Sequence, residues 1–380
     1  MRIVEEISFR LKVSAFVCAL LVTTIHCWSP EIWFLGESGF SAWQAAVAFL
    51  VTGSISRVAV PWFFVMTGFF LARSFSEGGA LNLIGWYGAT LKKRFWSIYV
   101  PFVIWNLAYV ALYLAFGGKH GCSLDAPVRL LSKVFGWDPY GRLGCMQFWY
   151  LQTVIMWVVT SIVVLPLLYG RRWLQIGATG VLFVGWTLGI IYLPRPLAIG
   201  NFLWLMFGSA LGFSDVGVLL AQRPQSSQSI IKPYPILREL SVRQFAVVVF
   251  ISMLSITAII KVYGGVVRNM AVYGWADKCI IVFGVASLVC LVFGSGHNFR
   301  VFSVFRGSAM RQILGLSFFI FAFHGVVVTV VGRLCARMSV SEFATYGIKV
   351  LSALTLPILV GLVFRRASQR LFALICGGRG

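Results

Sequence analysis

The chain reads as a succession of long apolar runs separated by short polar segments. Crossing a bilayer takes about 20 mostly apolar residues. Ten stretches approach or meet that length, at 11–28, 56–72, 97–116, 147–168, 173–193, 197–213, 244–263, 277–294, 311–331 and 343–364. Only the turn YLPRP parts the fifth from the sixth. The first run is too long for the apolar core of a removable signal peptide, and small cleavage-site residues do not follow it, so it predicts a true helix. The expected fold class is all-α: a polytopic bundle of ten transmembrane helices forming one domain over 1–380.

Composition agrees with a membrane protein. Hydrophobic residues make up 59% of the chain, charged residues 11%, and the mean hydropathy is +0.88; a soluble domain carries roughly 25% charged residues. With the N-terminus in the cytoplasm, 20 of the 32 Lys and Arg fall on the inner side and 12 outside. The positive-inside rule then puts both termini in the cytoplasm. The 117–146 loop becomes extracytoplasmic, and the polar 214–243 loop cytoplasmic. Charge of this kind explains the net +21 as topogenic, so nucleic-acid binding is set aside. Eight cysteines occur without a CxxC or Cys/His cluster, which leaves no support for a zinc or haem site. Cys122 and Cys145 share the outer loop; an oxidising compartment would let them pair, and two separate thiols fit equally well.

Two of four histidines, His26 and His324, are embedded in apolar runs, SAFVCALLVTTIH and LSFFIFAFH. A membrane-embedded histidine is costly and marks a functional candidate, and its near-neutral pKa suits proton transfer. At 1.5 Å per residue, His26 lies about 22 Å above Leu11 and His324 about 18 Å above Gln312. Both rings are therefore expected at one level in the outer half. Arg57, opening a descending helix in SRVAVPWFF, and Gln147 and Trp149, opening another in MQFWYLQ, fall at the same height. The plainer readings are a histidine bonded to a neighbouring helix, an arginine snorkelling to headgroups and a belt tryptophan. His120 and His297 lie in polar loops, and no chemistry attaches to them.

A second cluster, Lys92, Lys93 and Arg94 in ATLKKRFWSIYVP, is expected at the cytoplasmic N-terminal end of the third helix. Three cations there oppose the helix dipole unless an anion such as a phosphate sits among them. Topogenic charge resting on anionic headgroups is the plainer account.

Five motifs, in order, then carry a resemblance over nearly the whole chain: LLVTTIH, RVAVPWFFVMTGFFLAR, KKRFWSIYVP, FWYLQ and SFFIFAFH. The chain resembles the acyltransferase-3 family of integral membrane O-acyltransferases. The resemblance implies transfer of an acyl group, usually acetyl from acetyl-CoA as co-substrate, to a glycan or lipid-linked sugar at the cell (inner or plasma) membrane. By that similarity His26 is the catalytic histidine, and Arg94 with Lys93 holds the coenzyme A phosphates, with Lys92 or the 214–243 loop to compensate where the pattern departs. Two positions depart from the family pattern: Ala15 stands where many members carry a basic residue, and Ser97 where many repeat an arginine.

The implied mechanism is general-base catalysis, His26 taking the acceptor proton. Arg57 or His324 would stabilise the developing oxyanion, and a covalent acyl-histidine is the alternative route. A transporter or flippase of a glycan or lipid precursor is the competing reading. Against it, all eleven Asp and Glu fall in loops, tails or at helix ends, whereas ion-coupled carriers commonly place carboxylates within their spans.

Overall fold

A computed structural model of the chain describes residues 2–27, 41–115, 127–136, 145–189, 197–214, 251, 270–293, 302 and 304–378. The expected span 244–263 and the loop residues His120, Cys122 and His297 lie outside these, Ile251 excepted. Among the described residues there is no strand. The protein is an all-α, polytopic membrane protein, and seven helical runs among the described residues are long and apolar enough to cross a bilayer.

The helices are α1 (Arg2–Ile25), α2 (Ala42–Ala48), α3 (Ala59–Ser74), α4 (Leu83–Arg94), α5 (Val100–Ala115), α6 (Pro127–Phe135) and α7 (Trp149–Leu168). There follow α8 (Arg172–Leu188), α9 (Ile199–Phe213), α10 (Met270–Phe293), α11 (Ser308–Leu314), α12 (Ser317–Arg337), α13 (Glu342–Ala367) and α14 (Gln369–Ile375). Two of the expected ten spans are shorter helices, α8 with 17 residues and α9 with 15. Gly189, in the left-handed conformation at φ 64°, ends α8.

Two apolar runs extend further than their hydropathy suggests, because non-α turns bridge neighbouring helices. The second span covers Ala46–Gly79, with a π-helical segment (Phe49–Ser54), a 3-10 turn (Ile55–Val58) and a further π segment (Phe75–Gly79). The third covers Leu83–Leu112, with a π segment (Phe95–Tyr99) joining α4 to α5. Lys92, Lys93 and Arg94 therefore occupy the last turn of α4 and not a helix N-terminus. The N-terminus lies at Leu83, capped by Asn82, whose side chain accepts from the Gly85 amide at 2.9 Å. The expected conflict with the helix dipole disappears, since the run continues through the π segment into α5 and leaves no helix terminus at the cluster.

The chain forms two compact units. The first comprises Met1–Phe63, Asp215–Ser317 and Val327–Thr355. In it α1 packs on the Phe49–Val58 turns and on α10, and the Trp62 indole donates to the Ser14 hydroxyl at 3.0 Å. Cys27, Ala48, Tyr346 and Ala353 form a small buried core there.

The second unit comprises Phe64–Ser214, Phe318–Val326 and Leu356–Gly380. In it α3 and α9 cross backbone against backbone. A side chain at Gly208 would meet the Val65 backbone, and one at Gly68 the Leu205 carbonyl and the Ser209 amide. Small residues four apart on both helices, Gly68 and Ala72 against Gly208 and Gly212, let the backbones touch. Elsewhere Phe148 stacks between Phe102 and Phe321, centroids 5.8 and 5.7 Å away.

Candidate functional site

His26 lies one residue beyond α1, half-buried, its amide donating to the Thr23 carbonyl at 3.2 Å. The hydroxyls leading to it are committed to their own helix: Thr23 donates to Leu20 O at 2.7 Å and Thr24 to Leu21 O at 2.8 Å. Facing this helix end in the first unit is the LVTGSIS segment. On an unbroken α-helix, residues two apart point about 200° apart, yet Thr52, Ser54 and Ser56 are all buried. The π turn followed by a 3-10 turn turns them together. Ser56 lies 2.6 Å from Thr24 Oγ1, while Thr52 reaches the Thr24 carbonyl at 3.3 Å and the Tyr346 hydroxyl at 2.8 Å. The Ser54 hydroxyl, fully buried, has no hydrogen-bond partner among the described residues.

Cys27, next in the chain, donates its thiol to Thr23 O at 3.3 Å. Burial pushes that thiol up to about 12, against a partial pull down from Lys349. It stays protonated at neutral pH, so it is a poor nucleophile.

Arg57 does not open a helix as expected; it sits in the 3-10 turn inside a continuous helical run. Its Nε is 3.9 Å from Asp277 on α10, with both side chains mostly shielded. The hydropathy pattern gave no pairing for this carboxylate. Its one visible signal is its position at the start of an apolar run.

His324 lies in the second unit and is completely buried. A turn at Gly315–Leu316 separates α11 from α12, so the membrane helix starts at Ser317 and not near 311. The ring is thus seven residues into its helix, about 10 Å along it instead of 18 Å. The equal-depth inference that joined it to His26 loses its premise. Nδ1 lies 3.3 Å from the Ile320 carbonyl on its own helix.

Beside it, Gly325 leaves room for the Gln147 amide and the Tyr109 hydroxyl, both of which a side chain there would strike. Tyr109 donates to Ala322 O at 3.0 Å. The Cys145 thiol donates to Gln147 Oε1 at 3.1 Å, and the Cys145 amide to Asn106 Oδ1 at 2.8 Å. Cys145 is a free thiol, and burial pushes it above its ordinary range. Gln147 therefore reaches the His324 neighbourhood, as its position in the chain suggested. Trp149 instead packs at 6.2 Å from Phe64. Tyr109 and Asn106 carried no sequence signal beyond being polar groups near apolar runs, and Cys145 stood out only as a candidate partner of Cys122.

The basic cluster borders a cavity of about 450 Å³ in the same unit. Lys92 and Arg94 line it with Leu91, Phe95, Ile98 and Tyr99 of the α4–π segment, opposite Ile155, Val158 and Val159 of α7. Lys93, on the same turn, is exposed and is not among the lining residues. Two cations at the rim of an apolar-walled space suit a molecule with an anionic head and a less polar arm. Among the described residues no group of three His, Cys, Asp or Glu is placed to hold a metal.

A family model described as an acyltransferase domain, that of the acyltransferase-3 family, matches residues 16–364. No curated protein and no solved structure matches the chain.

Proposed function

The chain belongs to the acyltransferase-3 family and is a multi-pass membrane acyltransferase, and from that premise we propose that it moves an acyl group, acetyl in the first instance, from cytoplasmic acyl-CoA to a hydroxyl of an extracytoplasmic glycan or glycan precursor. The observation that carries the donor half is the cavity bordered by Lys92 and Arg94. In this reading the two cations bind coenzyme A phosphates through charge-assisted hydrogen bonds, with Lys93 adding charge at the rim. The apolar walls take the pantetheine arm.

His26 is the general base. It removes the acceptor hydroxyl proton as that oxygen attacks the thioester carbonyl. The new C–O bond forms, the C–S bond breaks, and the proton passes from the imidazolium to the departing thiolate. Arg57, held by Asp277, supplies positive charge to the transient oxyanion. In the second unit His324, fully buried, is held at Nδ1 beside the Ile320 carbonyl, and we assign it a supporting role. The membrane is the cell's inner or plasma membrane.

The test is acyl transfer by the purified protein in lipid nanodiscs, followed as thioester consumption and as acylated acceptor. Movement of a glycan precursor with acetyl-CoA left intact would overturn the reading in favour of a flippase. Arg94→Ala is expected to raise KM for acetyl-CoA about 10- to 100-fold, the worth of one hydrogen bond to a charged group, with kcat within about twofold. Loss of kcat at unchanged KM would place Arg94 outside donor binding.

A further inference from the structure

The cavity that carries the donor reading is shaped in part by the π segment Phe95–Tyr99, which supplies Phe95, Ile98 and Tyr99 to its wall. A π turn in the middle of a helix is rare and needs something to hold it. The residue in its centre, Ser97, is met from outside the helix by a turn far along the chain. A side chain at Gly377 would strike the Ser97 carbonyl oxygen, carbonyl carbon and Cα. Gly377 is also in the left-handed region, at φ 66°, so the backbone conformation and the contact both require glycine there.

That turn is rigidly built. Gly378 donates its amide to Ala373 O at 2.7 Å, and Gly377 donates to Leu374 O at 3.3 Å. These are the two bonds of a Schellman cap closing α14. The helix it closes is itself anchored in the second unit. The Trp105 indole donates to Ile375 O at 3.0 Å. Phe372, buried, packs on Phe319 and Phe364 at 5.5 and 6.1 Å. Cys376, inside the turn, is fully buried. A deeply fixed cap therefore presses backbone against backbone on the segment that walls the cavity.

We infer that the Cys376–Gly378 turn is a buttress that sets the π segment, and through it the donor cavity, making Gly377 and Trp105 positioning residues for acyl-CoA binding. This rests on the donor reading of the cavity. Neither residue touches the donor; both act through the Ser97 backbone.

Gly377→Ala and Gly378→Ala make a matched pair, measured in the full-length protein in nanodiscs. Both put a side chain at positive φ (66° and 74°), but only the first meets Ser97, since nothing lies within 4 Å of a side chain at Gly378. The expected result is that Gly377→Ala raises KM for acetyl-CoA about tenfold with kcat within about twofold, because small misplacements of a binding wall are costly. It should also speed amide hydrogen exchange across 95–99. Gly378→Ala should leave both near wild type. If Gly377→Ala does not fold, Trp105→Phe keeps the ring against Phe319 and loses only the bond to Ile375; it should raise KM roughly three- to tenfold.

Unchanged KM with faster exchange would overturn the proposal, and so would equal effects from the two alanines. Arg94→Ala run in parallel separates the two claims. If that variant leaves KM unchanged, the donor reading has failed and the assigned role falls with it, whereas a raised KM in Arg94→Ala alone sinks only the buttress.

Discussion

His26→Ala is expected to lower acyl transfer about 10²- to 10⁴-fold, the usual contribution of a positioned general base, without affecting membrane insertion. Among the described residues, its chain neighbours are not placed to take over. Thr23 and Thr24 already donate to helix carbonyls, and Cys27 donates to Thr23 O with its thiol held protonated by burial. His26 itself sits past the last helical residue, half-buried, so its removal costs little packing. His26→Gln, which retains hydrogen bonding but cannot accept a proton at neutral pH, should be nearly as inactive. Full transfer by either variant, at wild-type protein levels in the membrane, would remove His26 from the chemistry. A single-turnover experiment distinguishes the covalent route: acetyl attached to the wild-type protein without acceptor would favour an acyl-histidine over direct attack.

The same residue shows how far the sequence could be read. That an apolar run ends at His26 follows from hydropathy, and the helix does end beside it. The all-α membrane class was legible for the same reason: lipid selects long apolar runs, and every backbone group must then bond within its own helix. Helix interruptions were not legible. FWSIY and FLVTGS look like continuous apolar or small residues, and nothing local announces a π turn. Those turns lengthen two spans, place Lys92–Arg94 inside a continuous helical run instead of at a helix start, and bring Thr52, Ser54 and Ser56 to one side. Gly315, by contrast, was visible as a glycine, yet its weight as a break depended on where α12 packs. The later start of α12, at Ser317 and not near 311, came from there.

Partners distant in the chain were equally hidden. The basic side of the cavity could be named from KKR, but its opposite wall, Ile155, Val158 and Val159, is ordinary apolar sequence. Asp277 was counted among carboxylates at span ends, with no indication that it meets Arg57. Pairings of this kind come from tertiary packing between segments more than sixty residues apart in sequence.

Gly208→Val is expected to be the most disruptive single change in the second unit, costing about 3 kcal/mol or more because the clash is with backbone that cannot rotate away. A side chain at this position meets the oxygen, carbon and Cα of Val65. Within lipid, little hydrophobic force drives one helix onto another, so van der Waals contact and close approach hold the pair. Ser209 adds to it, its hydroxyl 3.4 Å from the Gly68 carbonyl. Separation of α3 from α9 would also move α7, which leans on α9 through Trp157–Phe202 at 6.2 Å and the Asn201–Thr153 bond at 3.4 Å. Because α7 carries one wall of the cavity, surviving protein should bind acetyl-CoA more weakly as well. Gly180→Ala is the control: α8 is open around it, and alanine in a helix is favoured over glycine by up to about 1 kcal/mol. Thermal midpoints in detergent should therefore fall for Gly208→Val and hold or rise for Gly180→Ala. An unchanged midpoint for Gly208→Val would mean that α3 and α9 are not in backbone contact.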